Sequence, residues 1–155
     1  MTDDSGSLGP EQAELVDAYR RLIADVHELA NVTQRLSDVE AKQIGATASQ
    51  WHVLSVISDG ARTVPAIAAR LGRSRQAVQR TSDELVAAGY ATTRRNPSKA
   101  RSPLIEATES GMALQGTLYA RSALPRFQML QRADLGVHEL AVAGRAVRRL
   151  LEALA

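Results

Sequence analysis

Two short stretches of this chain carry side chains suited to reading and gripping a polyanion. The first holds Arg73, Ser74, Arg75, Gln76, Gln79 and Arg80. A guanidinium can bond guanine O6 and N7 with both arms, and a glutamine amide can match adenine N6 and N7. The second holds Arg94, Arg95, Lys99 and Arg101, which bracket the polar turn Asn96-Pro-Ser-Lys-Ala-Arg-Ser-Pro103. A basic hairpin beside such a helix can reach phosphates or an adjacent minor groove, and Lys99 and Arg101 are nearest the tip. The charge distribution agrees. Residues 1–61 hold 4 Lys/Arg against 10 Asp/Glu, net −6, and residues 102–155 hold 6 against 5, net +1. Residues 62–101 hold 9 against 2, net +7, so one block of the chain carries the positive footprint.

Other chemistries find little support. With no cysteine there are no disulfides, thiolate metal sites or cysteine-based redox sensing. His27, His52 and His138 lack the i, i+4 spacing of a helical metal site. Ser55, Ser58 and Asp59 lie near His52, but no nucleophile elbow surrounds the serines, and one helix cannot make a triad converge. No Gly-rich phosphate loop is present. The chain is therefore expected to be no enzyme and to use no cofactor or metal. No apolar run approaches the roughly 18 residues of a membrane span. Met1 to Pro10 is polar, without the basic and apolar regions of a signal peptide, and reads as a frayed tail. The expected location is the cytoplasm, on the nucleoid.

The elements that must position the basic residues follow from periodicity and caps. Leu15, Tyr19, Leu22, Val26 and Leu29 recur at four and three, predicting a long helix from Glu11 to about Leu36. Its apolar stripe needs cover, from this chain or from a second copy. Thr47-Ala-Ser-Gln50 has the form of a capping box and opens a helix that stops near Asp59-Gly60. Thr63 can cap the next, with Pro65 in its first turn and Gly72 at its end. Ser74 can cap a third, running to Gly89. Ala68, Gly72 and Val78 then have the spacing of a helix-turn-helix: a small contact residue, a turn residue that tolerates positive φ, and an apolar residue aimed back. Tyr90 to Arg95 and Leu104 to Ala107 read as the strands of a hairpin with a basic tip. Thr108 can cap a helix to about Leu130, with Gly111 in its first turn. A last helix begins between Leu135 and His138.

At this point the chain resembles the MarR family. The carriers are Gln50-Trp-His-Val-Leu54, Val64-Pro-Ala-Ile-Ala-Ala-Arg-Leu-Gly72 and Ser74-Arg-Gln-Ala-Val-Gln-Arg80, continued by Leu85-Val-Ala-Ala-Gly-Tyr90, Arg94-Arg-Asn-Pro97 and Thr108-Glu-Ser-Gly111. The fold class expected is mainly α with a small β-hairpin wing: a winged helix-turn-helix over residues 47–111, and helical dimerisation segments at 11–46 and 112–155. The resemblance implies a homodimer on a pseudo-palindromic double-stranded DNA site, acting as a repressor. It also implies, for many members, a small-molecule effector pocket, for which Tyr19, Trp51, His52 and Tyr119 are the candidates by analogy. Each of these four is more often a packing residue. The family wing commonly carries an acid, a base and then Arg, where this chain has Lys99-Ala100-Arg101, so the acid that braces the wing Arg is missing. The alternative reading is a winged-helix dimer serving protein assembly or non-specific DNA binding.

Overall fold

In the computed structural model, which describes residues 8–154, the opening apolar stripe becomes helix α1 (Pro10–Lys42). The tail expected for residues 1–10 lies outside the described residues as far as Ser7, and the helix begins at Pro10. Pro10 needs no N–H in a first turn, and the Gly9 N–H donates to Gln12 Oε1 at 2.9 Å. At 33 residues α1 is about 50 Å long. Asp17 pairs with Arg20 at 2.8 Å and with Arg21, one turn along the same face. The helix runs past the expected end at Leu36. Its buried residues, Ser37 and Ala41, lie in that extension, and such small side chains leave no apolar periodicity to read.

The chain divides into two compact units after Ala48. Helix α2 (Ala48–Ile57) starts at this boundary, and in the second unit a two-residue strand β1 (Arg62–Thr63) leads into α3 (Val64–Leu71). The Thr63 hydroxyl accepts from the Ala66 N–H, as a cap should. Gly72 ends α3 at φ +61°, in the left-handed region that other residues occupy only at a cost. Its N–H and that of Arg73 both turn back to the last carbonyls of α3, the latter to Ala68 at 3.0 Å. Ser74 then caps α4 (Arg75–Ala87), accepting from the Ala77 N–H at 3.1 Å. The turn between α3 and α4 is thus three residues, each with its backbone or side chain committed.

Helix α4 closes with paired bonds, Tyr90 N–H to the Leu85 carbonyl at 2.9 Å and Gly89 N–H to Val86 at 3.0 Å. Strands β2 (Ala91–Arg94) and β3 (Leu104–Ala107) form the expected hairpin, with Thr92 opposite Glu106 and Arg94 opposite Leu104. One strand was not expected. Arg62 and Thr63 pair with Ile105 and Leu104, so the wing is part of a three-stranded antiparallel sheet in the order β1-β3-β2. Two residues are too few for period-2 alternation to register in a sequence. The sheet, α2, α3 and α4 enclose one core, in which Leu54, Ile57, Ile67, Leu85 and Ile105 are all almost inaccessible to solvent. Each such side chain is worth about 1.5–3 kcal/mol of burial. Ala68 and Val78 are buried with them, as the helix-turn-helix spacing requires.

Helix α5 (Glu109–Arg132) is capped by Thr108, whose hydroxyl accepts from the Gly111 N–H at 3.1 Å and donates to the Gly89 carbonyl at 2.7 Å. Helix α6 (Val137–Ala153) follows a short turn, and none of its residues is buried. At Gly111 a Cβ would stand 2.0 Å from the Tyr90 carbonyl oxygen and 3.3 Å from Leu54 Cδ2. Because the first obstacle is backbone, Gly111→Ala should destabilise the fold by about 1–3 kcal/mol, read as a lower urea midpoint at unchanged slope. An unchanged midpoint would show that the approach of α5 to Tyr90 is slack. Ser82 should behave in the opposite sense. Its hydroxyl is fully buried with no hydrogen-bond partner among the described residues, so Ser82→Ala should raise stability by roughly 1 kcal/mol, read as a higher urea midpoint. A lower midpoint would mean the hydroxyl is satisfied in solution.

Candidate nucleic-acid interface

The N-terminus of α4 presents its first turns outward because the other side is spent on the core. Val78, Thr81, Ser82 and Leu85 are buried, while Arg75, Gln76, Gln79 and Arg80 are exposed. The Ser74 oxygen takes one of the free amides at this helix end, and the rest of the first turn remains an attractive place for a phosphate. Arg75, Gln76 and Gln79 form one wall of a groove of about 350 Å³, and Arg101 and Pro103 of the wing form the other. Residues read separately from two parts of the sequence are brought together here.

Not all of the candidate residues face outward unengaged. Arg73 is half-buried, and its Nη1 donates to Ser49 Oγ at 3.0 Å, which ties the α3–α4 turn to the start of α2. Gln79 donates from Nε2 to Asp83 Oδ1 at 2.8 Å along the same helix face. Arg94 pairs through Nε with Glu106 at 3.1 Å, diagonally across the β2–β3 ladder. Arg75, Gln76, Arg80, Arg95, Lys99 and Arg101 have exposed side chains that engage no partner among the described residues.

The wing turn is held by a residue that sequence reasoning passed over. Asn96 Oδ1 accepts from the Ser98 N–H at 3.0 Å, and its Nδ2 donates to the Ser102 carbonyl at 2.9 Å. A further bond, Ser102 N–H to the Lys99 carbonyl at 2.9 Å, closes the tip around Arg101. One asparagine therefore spans the base of the loop. Asn-Pro-Ser is a turn signal, and the Asn96 to Ser98 bond was legible as such. The bond to a carbonyl six residues on was not. The wing lacks an acid before Arg101, and its acid sits instead on β3 as Glu106, bracing Arg94.

The four candidate pocket residues occupy different surroundings. Trp51 is 5% exposed, with the Arg126 guanidinium 4.9 Å from its ring centroid, a cation–π contact that joins α2 to α5. Its ring is tilted against that of His52, which is half-buried. Tyr119 is largely exposed on α5, and Tyr19 is exposed on α1 in the first unit. A second groove, of about 510 Å³, opens beside α2 and α3 between Asp59, Arg62 and Arg70, and none of the four lines it. No helix among the described residues is long and apolar enough to cross a membrane.

Comparison with known proteins places this geometry. An uncharacterized protein of Mycobacterium tuberculosis (strain ATCC 25618 / H37Rv) is 38% identical over 138 residues, spanning 89% of this chain and 95% of its own. Among solved structures, a MarR/EmrR family transcriptional regulator from Acinetobacter sp. ADP1 superposes with a TM-score of 0.73 at 23% identity, covering 87% of this chain and 95% of that one. A mutant MarR from E. coli complexed with operator DNA superposes with a TM-score of 0.67 at 23% identity, covering 88% and 98%. At these identities the structural likeness establishes the winged helix-turn-helix fold. The family model described as the MarR family matches residues 44–102, the stretch that holds α2, α3, α4 and most of the wing. By that match, residues 44–102 are a MarR-family domain.

Proposed function

We propose that the protein is a sequence-specific double-stranded-DNA-binding regulator that acts as a homodimer on a pseudo-palindromic operator, in the cytoplasm on the nucleoid, and represses by occupying a promoter. The observation that carries this reading is the groove in which Arg75, Gln76 and Gln79 of α4 face Arg101 of the wing. A helix N-terminus with bidentate side chains suits the edges of bases in a major groove. A basic loop beside it suits the flanking backbone or minor groove. The E. coli relative solved with operator DNA has the same fold, which supports extending its ligand to this chain.

The dimer is supported by exposed apolar surface. Leu15 is 72% exposed and Leu29 64% on α1, and Leu151 is 63% exposed on α6 with Leu154 70% at its C-cap. Apolar stripes left open on long terminal helices are the surface that a second copy would cover. Two recognition helices related by a two-fold axis would then meet half-sites about 34–36 Å apart, one turn of DNA.

The test is a binding titration at several salt concentrations, with DNA from upstream of its own gene beside a scrambled duplex. Preference of roughly a thousandfold or more would support the reading. Equal, weak and salt-sensitive binding to every duplex, in a random-sequence selection as well, would replace it with a non-specific or assembly role. Arg75→Ala should weaken binding to the operator by about 1–3 kcal/mol, roughly 5- to 150-fold, with a smaller loss on the scrambled duplex. Equal losses on both would remove Arg75 from base reading. Arg101→Ala should weaken both DNAs alike and flatten the log–log salt dependence by about one unit of slope. An unchanged slope would place Arg101 away from the phosphates.

A further inference from the structure

The side of α4 that carries Gln76 and Gln79 also carries a carboxylate, Asp83, one turn beyond Gln79 and exposed with it. A negative charge there weakens attraction to a polyanion, so its place on this face needs a physical account. The hydrogen bond supplies one. An ionised carboxylate only accepts, so the group that Gln79 turns toward Asp83 Oδ1, at 2.8 Å, is its amide nitrogen. The orientation of the amide is thereby fixed before any ligand arrives. One of its two N–H groups is spent on Asp83, leaving one N–H and the carbonyl Oε1 available on a side chain that lines the groove.

That remaining pair matches one base. Adenine offers an N6 donor and an N7 acceptor in the major groove, which one amide oxygen and one amide N–H satisfy together. Guanine offers two acceptors, O6 and N7, and would need both N–H groups. With one committed to Asp83, guanine would face the lone pairs of Oε1. An unbraced glutamine could rotate its amide to suit either base, and would lose that freedom only on binding. We propose that Asp83 is a specificity-determining positioning residue: by holding the amide of Gln79 it makes that side chain read adenine and reject guanine. The inference rests on the reading of α4 as the recognition helix.

The experiment is a selection from random duplexes with the full-length protein and the variants Gln79→Ala, Asp83→Asn and Asp83→Ala. The wild type should enrich adenine at one position of each half-site, and Gln79→Ala should erase the preference there, which identifies the position. Asp83→Asn keeps the size of the side chain but offers both a donor and an acceptor, so the amide can take either orientation. Both Asp83 variants should lower the adenine-to-guanine ratio at that position about tenfold, with the other positions unchanged. Removing the charge should also strengthen binding to all duplexes by a common factor. If only that uniform strengthening is seen, with the ratio at the Gln79 position intact, Asp83 acts through charge alone and the proposal is overturned. It is equally overturned if Gln79→Ala changes no position. A wild type that selects no consensus at all would instead sink the operator-binding reading on which this one stands.

Discussion

The carbonyl of Tyr90 is the point on which the winged-helix lobe depends. It accepts the Thr108 N–H at 3.1 Å, and it occupies the space where any side chain on residue 111 would begin. The Thr108 hydroxyl completes the junction by donating to Gly89 and accepting from Gly111. Four residues thus join the end of α4, the first strand of the wing, the second strand and the start of α5. The consequence is geometric. The helix that carries Arg75, Gln76 and Gln79 and the hairpin that carries Arg101 are joined at their root by one backbone bond and two bonds of the Thr108 hydroxyl. That junction does not involve the long exposed side chains that line the groove.

The same economy governs the charges. A net +7 over residues 62–101 would repel itself, and the structure divides it into braces and contacts. Arg73 is taken by Ser49 and Arg94 by Glu106, each holding one element against another. Exposed pairs such as Arg94–Glu106 add little stability, so their value lies in placement. Arg75, Arg80, Lys99 and Arg101 are exposed and engage no partner among the described residues. A charge block read from sequence cannot make this division, because the partners Ser49 and Glu106 lie in other elements.

What could be read in advance was what acts over three or four residues. Thr63, Ser74 and Thr108 cap helices as their positions suggested, because a hydroxyl reaching an amide three residues on depends on little else. The helix-turn-helix was legible because Ala68, Gly72 and Val78 each meet a steric demand peculiar to that turn. Longer reach defeated the reading. Asn96 bonds to the carbonyl of Ser102 across a loop without periodicity, and β1 is a strand only because β3 comes to lie beside it. Gly111 was visible as a glycine in a first turn, but its reason is the carbonyl of Tyr90, twenty-one positions back. Trp51 was a pocket candidate by analogy only, with packing favoured, and the guanidinium over its ring comes from α5.

Helix α6 bears on how the whole chain is stabilised. It has 17 residues, a first turn held by Glu139 accepting from the Gly136 N–H, and no buried residue. Helices of about that length are marginal in water unless an apolar face is packed, since most helical stability in proteins comes from packing. Leu140 and Leu151, with Leu154 at the C-cap, provide such a face and leave it open, as Leu15 and Leu29 do on α1. The lobe built on Leu54, Ile67 and Leu85 has its own core, whereas the terminal helices do not gain comparable burial from this one chain. In the proposed homodimer these two kinds of stability separate. The reading head is stabilised within one copy, and the spacing between two heads is stabilised only by association. Spacing and stability of the outer helices then depend on the same contacts and on protein concentration. A solution condition that loosened the terminal helices would cost operator affinity through lost register, while each head kept its fold and its grip on a single half-site.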